Sequence, residues 1–188
     1  MWPSADVAAG IAGAIKLARF DPDGFEHFDT SITGFWRSFL AAVVIAPLFM
    51  VLLVIRYIAE PTAGSFLHYI ILECEAYVIA WFAFPLIVAY LSRALGKEDR
   101  YLGYIVAYNW AAVAQSVVYL PIVILGMTGA LPQGIASVFA LVAIFWILSL
   151  TFFVTRHAFD VAPGTAAGIV FMDFLLGMVI ESTTNRFL

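Results

Sequence analysis

The chain has 188 residues, of which 64% are apolar and only 12% charged, with a net charge of −4. Its mean hydropathy is +1.00. Soluble domains are about 45–50% apolar and about 25% charged, so these figures exclude an ordinary soluble enzyme, a disordered chain and a nucleic-acid binder. The solvent for most of this chain is lipid.

Residues 1–35 differ from the rest of the chain. The segment ADVAAGIAGAIKLARF predicts a short helix, with Val7, Ile11 and Ile15 along one side and Lys16 and Arg19 away from it. Such a helix lies on a membrane surface or packs on the end of a bundle. The acidic linker FDPDGFEHFDTS comes next. It lacks the spacing of a calcium loop and reads as a cap and turn. Trp2 and Trp36 suit interfacial anchors. The start carries Asp6 and lacks the basic region and compact apolar run of a cleavable signal, so none is expected.

Residues 38–55 contain no charge, and Arg37 and Arg56 bound them. At about 1.5 Å per residue, a run of this kind with its flanks crosses a hydrocarbon core about 30 Å thick. The first span is therefore placed at 36–58. The second covers 66–92 and ends before the LGKEDR segment. From Tyr101 to Thr155 no residue is charged. That stretch is too long for one pass, and the Gly126–Gly134 region supplies a turn. Spans three and four become 102–125 and 134–155. The fifth starts after Pro163, a residue suited to a first helical turn, and ends near Glu181.

The expected fold is all-α: a polytopic five-transmembrane-helix bundle over 36–182, preceded by the N-terminal helix and linker (1–35) and followed by a short external tail (183–188). An odd number of spans puts Lys16, Arg19, Arg37, Arg93, Lys97, Arg100 and Arg156 on one side, and Arg56 and Arg186 on the other. The positive-inside rule then places the N-terminus in the cytoplasm and the C-terminus in the periplasm of a bacterial inner membrane.

Ionisable groups inside spans are costly and mark candidate sites. They are His68, Glu73, Glu75 and Asp173. Glu73 and Glu75 are two residues apart, hence about 200° apart on a helix, and cannot serve one partner. His68 and Glu75 share a face. A pair with Arg56 would neutralise one glutamate. Asp173 sits mid-span on the stripe Ala166, Val170, Asp173, Gly177, Ile180, which predicts that it faces protein and bonds Asn109, Gln115, Ser116 or a tyrosine. Asn109, Ala112 and Ser116 form a polar, small stripe suited to interhelical contact, with Gln115 off it. Gly164, Gly168 and Gly177 are read as points of close helix approach. Pro47, Pro85 and Pro121 fall inside spans one to three and predict kinks.

No catalytic, cofactor-binding or metal-binding set emerges. Cys74 is the one cysteine, which excludes a disulfide within the chain and a redox pair. The Arg156-His157…Asp160 group offers too few ligands for a metal and suits a cap or headgroup contact. There is no phosphate-binding loop and no hydrolase or metalloprotease signature, so no enzyme is expected and no cofactor is implied.

The run LSRALGKEDRYLGYIVAYNW after Trp81, with its short polar loop entering a tyrosine-bearing helix through Gly103-Tyr104 and Tyr108-Asn109-Trp110, resembles the Yip1-like family of five-span membrane proteins. That family commonly has a proline soon after the tyrosine, where Asn109-Trp110 stand here. The entry Gly34-Phe35-Trp36-Arg37-Ser38-Phe39 is similar to uncharacterised proteobacterial membrane proteins. The resemblance implies a five-span fold. The expected function is a scaffold or accessory subunit acting through helix–helix contacts, its partners being the lipid bilayer and other membrane subunits or copies of itself. The alternative is a small transporter or channel using Asp173 and Glu73/Glu75 as protonatable or cation-binding groups.

Overall fold

A computed structural model describes residues 4–59 and 64–188; the expectation for Trp2 lies outside them. The fold is 85% helical, with no strand among the described residues. Its helices are α1 (Ser4–Leu17), α2 (Ile32–Ser38), α3 (Leu40–Ala59), α4 (Phe66–Ala94), α5 (Glu98–Met127), α6 (Gln133–Ala158) and α7 (Pro163–Thr184), with a 3-10 turn at Pro22–His27. The α2–α3 stretch and α4 to α7 are five segments long and apolar enough to cross a membrane. Short connections make them alternate in direction. One end of the bundle, its N-terminal end, holds α1 and the α4–α5 and α6–α7 turns. The opposite end is its C-terminal end.

The segments run a few residues beyond the expected spans, and two of them start at a serine cap. Ser31 Oγ accepts from the Gly34 N–H at 3.1 Å, and Ser65 Oγ accepts from the His68 N–H at 3.3 Å, each closing a first turn. Pro163 occupies the first turn of α7, as its sequence position predicts. Pro47, Pro85 and Pro121 all lie inside continuous helices. In the linker, Asp21 Oδ1 accepts from the Asp23 N–H at 3.0 Å, which makes the turn.

Between helices in lipid, packing and hydrogen bonds take over from the hydrophobic effect. Helix α5 is the centre of this packing. Tyr104, Ile105, Val106, Ala107, Asn109, Trp110 and Ala111 are all buried, so this stretch of it is enclosed on every side. Helix α7 is peripheral. Only Ala166, Ile169 and Val170 are buried, a single stripe in its first half.

Of the two readings for α1, the structure takes the packed one. The face against the bundle is Gly10, Gly13, Ala14 and Leu17, while Ile15 is 51% exposed. A side chain at Gly10 would enter the Trp110 ring, and one at Gly13 would enter Phe28. The expected Val7–Ile11–Ile15 side is thus rotated: small residues rather than branched ones let the helix approach α5 closely.

Candidate functional site

Three polar constellations lie in or beside the spans. The first is at mid-depth. Tyr108 Oη donates to Asp173 Oδ1 at 2.8 Å, joining α5 to α7. Phe84 of α4 stacks on Tyr108 with centroids 4.4 Å apart. One turn away, Tyr104 and Thr155 hydroxyls are 2.9 Å apart, and Gln115 Nε2 donates to Thr151 Oγ1 at 3.0 Å. Asp173 therefore faces protein, and of the expected partners a tyrosine holds it. Asn109 and Gln115 go elsewhere. Asn109 Nδ2 donates to Ser38 Oγ at 2.8 Å, and Ser38 Oγ donates to the Phe35 carbonyl at 2.7 Å, pinning α2 to α5. Asn109 Oδ1 is buried with no partner among the described residues. Ser116 is half-buried on α5.

The second constellation is at the C-terminal end. Glu73 is buried, and its Oε1 lies 3.8 Å from Arg56 Nη1, so α3 and α4 are joined there by opposite charges. Glu75, about 200° further round α4, is exposed in a groove between α4 and α7. His68 does not join it: His68 Nε2 lies 3.1 Å from the Phe187 carbonyl, to which it donates, and so ties the tail back to α4.

The third lies under α1. Arg37 Nη1 donates to Asp6 Oδ2 at 2.7 Å. Beside this pair, Asp6, His27, Arg37, Ser38 and Trp110 border a cavity of about 40 Å³, room for one or two waters. Asp29 Oδ1 accepts from the Ser31 N–H at 2.9 Å. The Ser31 side chain and backbone hold the Asp29 carboxyl below the usual range, with Arg37 adding to the same shift. At the outer edge Lys97 Nζ donates to Asp160 Oδ2 at 2.9 Å and clasps the α4–α5 turn to the α6–α7 turn. Lys97 keeps the Asp160 carboxyl below its ordinary value. His157 lies 2.8 Å from the Phe153 carbonyl through Nδ1. Arg156, His157 and Asp160 do not converge on one point, and no metal-ligating group of three forms among the described residues.

The glycines of α7 need correction. A methyl at Gly164, Gly168 or Gly177 would meet nothing within 4 Å, so none marks a close approach inside this chain. Gly126 meets the Ala136 methyl where α5 faces α6, and the tightest approaches are at Gly10, Gly13, Gly24 and Gly34. Sequence reasoning misses them because they sit in the segment that reads as a surface helix and linker. It also misses Tyr108, Ser38 and Thr151, whose one signal is that polar groups in spans seek one another.

Comparison with family models, with curated proteins and with solved structures finds no match for this chain.

Proposed function

We propose that this protein is a non-enzymatic integral membrane subunit that works by helix–helix contact, with α7 as its docking helix. The observation that carries the reading is the outward face of α7. Gly164, Gly168, Phe171 and Leu175 fall on one side of the helix, opposite Ala166 and Asp173. Phe171 is 61% exposed and Leu175 42% exposed. A glycine pair four apart lets backbones meet in lipid, and within the chain nothing uses it. An apolar groove of about 490 Å³ between α6 and α7, bordered by Phe152, Ala167 and Phe174, adjoins this face. The occupant is a helix of another membrane subunit or of a second copy. On the same reading the chain is a Yip1-like five-span protein of a bacterial inner membrane. The seven basic residues at the N-terminal end put that end in the cytoplasm.

The test is cross-linking in native membranes from a cysteine placed at Ala167, with Cys74 replaced. A discrete cross-linked band is expected, lost in Gly168→Leu while the monomer stays folded. A monodisperse monomer with no cross-link in native membranes overturns the reading.

A transport reading draws on the Tyr108–Asp173 bond and on the prolines inside α3, α4 and α5. Against it, Asp173 and Glu73 line neither of the grooves beside α7, and Glu75 lines only the one between α4 and α7. Reconstituted vesicles should show no cation or proton flux above protein-free vesicles, for wild type and Asp173→Asn alike. Flux that Asp173→Asn abolishes would reverse the order of the two readings.

A further inference from the structure

The groove holding Glu75 is a different feature from the α7 docking face. It opens on the side of α7 turned to α4, about three turns or more further along that helix than Gly164 and Gly168. Its walls include Leu72 and Ile79 of α4 and Val179, Thr183 and Phe187 of α7 and the tail, and its volume is about 420 Å³. All but Thr183 of these five are apolar, yet Glu75 is exposed among them. Among the described residues no basic side chain pairs with it, whereas Glu73, two residues away, lies beside Arg56. An ionised carboxylate turned to hydrocarbon is expensive and persists where something offsets it.

Geometry indicates what that something is. Side chains lean toward the N-terminus of their helix, so Glu75 leans toward the C-terminal end of the bundle and its headgroup layer. From Leu72 to Ile79 the groove runs about 10 Å along α4. A groove about two turns long takes a flexible hydrocarbon segment, whereas a helix crossing the membrane needs a trough about 30 Å long. The polar groups at its outer part are a carboxylate and the Thr183 hydroxyl, which call for a compact, positively charged head rich in donors.

We infer that this groove binds one lipid whose head is a primary ammonium, of the phosphatidylethanolamine class, with an acyl chain between α4 and α7 and the ammonium against Glu75. A quaternary ammonium head has no N–H to give, and an anionic head is repelled.

Native mass spectrometry of the full chain, released from vesicles of phosphatidylethanolamine mixed equally with phosphatidylcholine or with phosphatidylglycerol of identical chains, tests this. One retained phosphatidylethanolamine, favoured about tenfold over either competitor, is expected. Glu75→Gln should erase the preference, and Glu73→Gln should keep it. Ile79→Trp, which fills the groove one turn from the carboxylate and leaves that carboxylate in place, should expel lipid of every head type. Equal retention of the three lipids, or a preference that survives Glu75→Gln, overturns the inference. So does a cross-link from a cysteine at Ile79 to a protein in native membranes, which would give the groove to a partner helix. Loss of the Ala167 cross-link leaves these results untouched, so the two proposals fail separately.

Discussion

Helices α5 and α7 are both apolar, and both carry glycine and a polar residue at mid-depth, yet they do opposite things. The first half of α5 is covered by the chain itself, with Tyr104, Ile105 and Ala107 fully buried, while Val117 and Leu125 further along are exposed. Its polar groups are spent on neighbours in α2, α6 and α7. Helix α7 buries one stripe in its first half and then stands between two grooves. In lipid, an unburied apolar face costs nothing against the acyl chains, so exposure alone carries no meaning. What distinguishes α7 is small residues with no internal contact, together with a groove that contains a carboxylate. The chain packs around the first half of α5 and leaves the glycines of α7 without an internal contact.

The sharpest way to break this contrast is to load the glycines. At Gly34 an added side chain would enter the Asp29 backbone, and at Gly10 it would enter the buried Trp110 ring. Gly34→Ala and Gly10→Ala should each cost roughly 1–3 kcal/mol by overpacking. Gly34→Ala should be the worse, because a backbone yields less than a ring. Gly164→Ala and Gly177→Ala meet open space, and should leave stability unchanged or raise it by up to about 1 kcal/mol through helix propensity. Thermal unfolding of the detergent-purified monomer, followed by circular dichroism, measures both sets. Equal losses in the two sets would mean that α7 is as tightly packed as α1.

These glycines also show where the sequence is informative. The five spans follow from length, charge and turn residues, because lipid demands about 20 apolar residues per crossing whatever the neighbours are. The Arg56–Glu73 and Tyr108–Asp173 pairs follow from a weaker rule, that polar groups in spans face protein, which predicts a partner without choosing it. The glycines invert because a small residue permits close approach without saying by whom. Gly10 and Gly13 sit in a segment whose branched residues suggest a different face, and the small ones decide it. Glu75 is legible as an intramembrane carboxylate, but its groove depends on how α4 and α7 diverge, which no local pattern encodes.

A smaller effect tests how firmly α7 is held by its single polar tie. Tyr108→Phe removes the only hydroxyl bonded to Asp173 among the described residues. Hydrogen bonds between helices in membranes average below about 1 kcal/mol and reach about 2. A double-mutant cycle of Tyr108→Phe and Asp173→Asn should therefore give a coupling of about 1 kcal/mol, read from steric trapping or detergent unfolding. A coupling near zero would leave α7 held by apolar packing at Ala166, Ile169, Val170, Met172 and Leu176, and would widen the contrast with α5.

The smallest expected effect is at the clasp between the two turns of the N-terminal end. Asp160 lies in the left-handed region at φ 49° and pairs with Lys97. Its carboxyl is held below 3.8, the ordinary value for an aspartate in a free peptide. A lowered carboxyl favours the folded clasp above that ordinary value and loses its hold as pH falls through the folded-state value. The clasp is therefore fully present at neutral pH and loosens only in acid below 3.8. Both groups reach solvent, so salt screens the pair and neutral-pH stability should barely change on Lys97→Met. What should change is the titration itself. In the wild type, carboxyl resonances of labelled aspartate should show Asp160 titrating below 3.8, and in Lys97→Met they should show it moving upward. No upward shift would mean that the two turns are held by packing at buried Phe159 and Val161 instead of by charge.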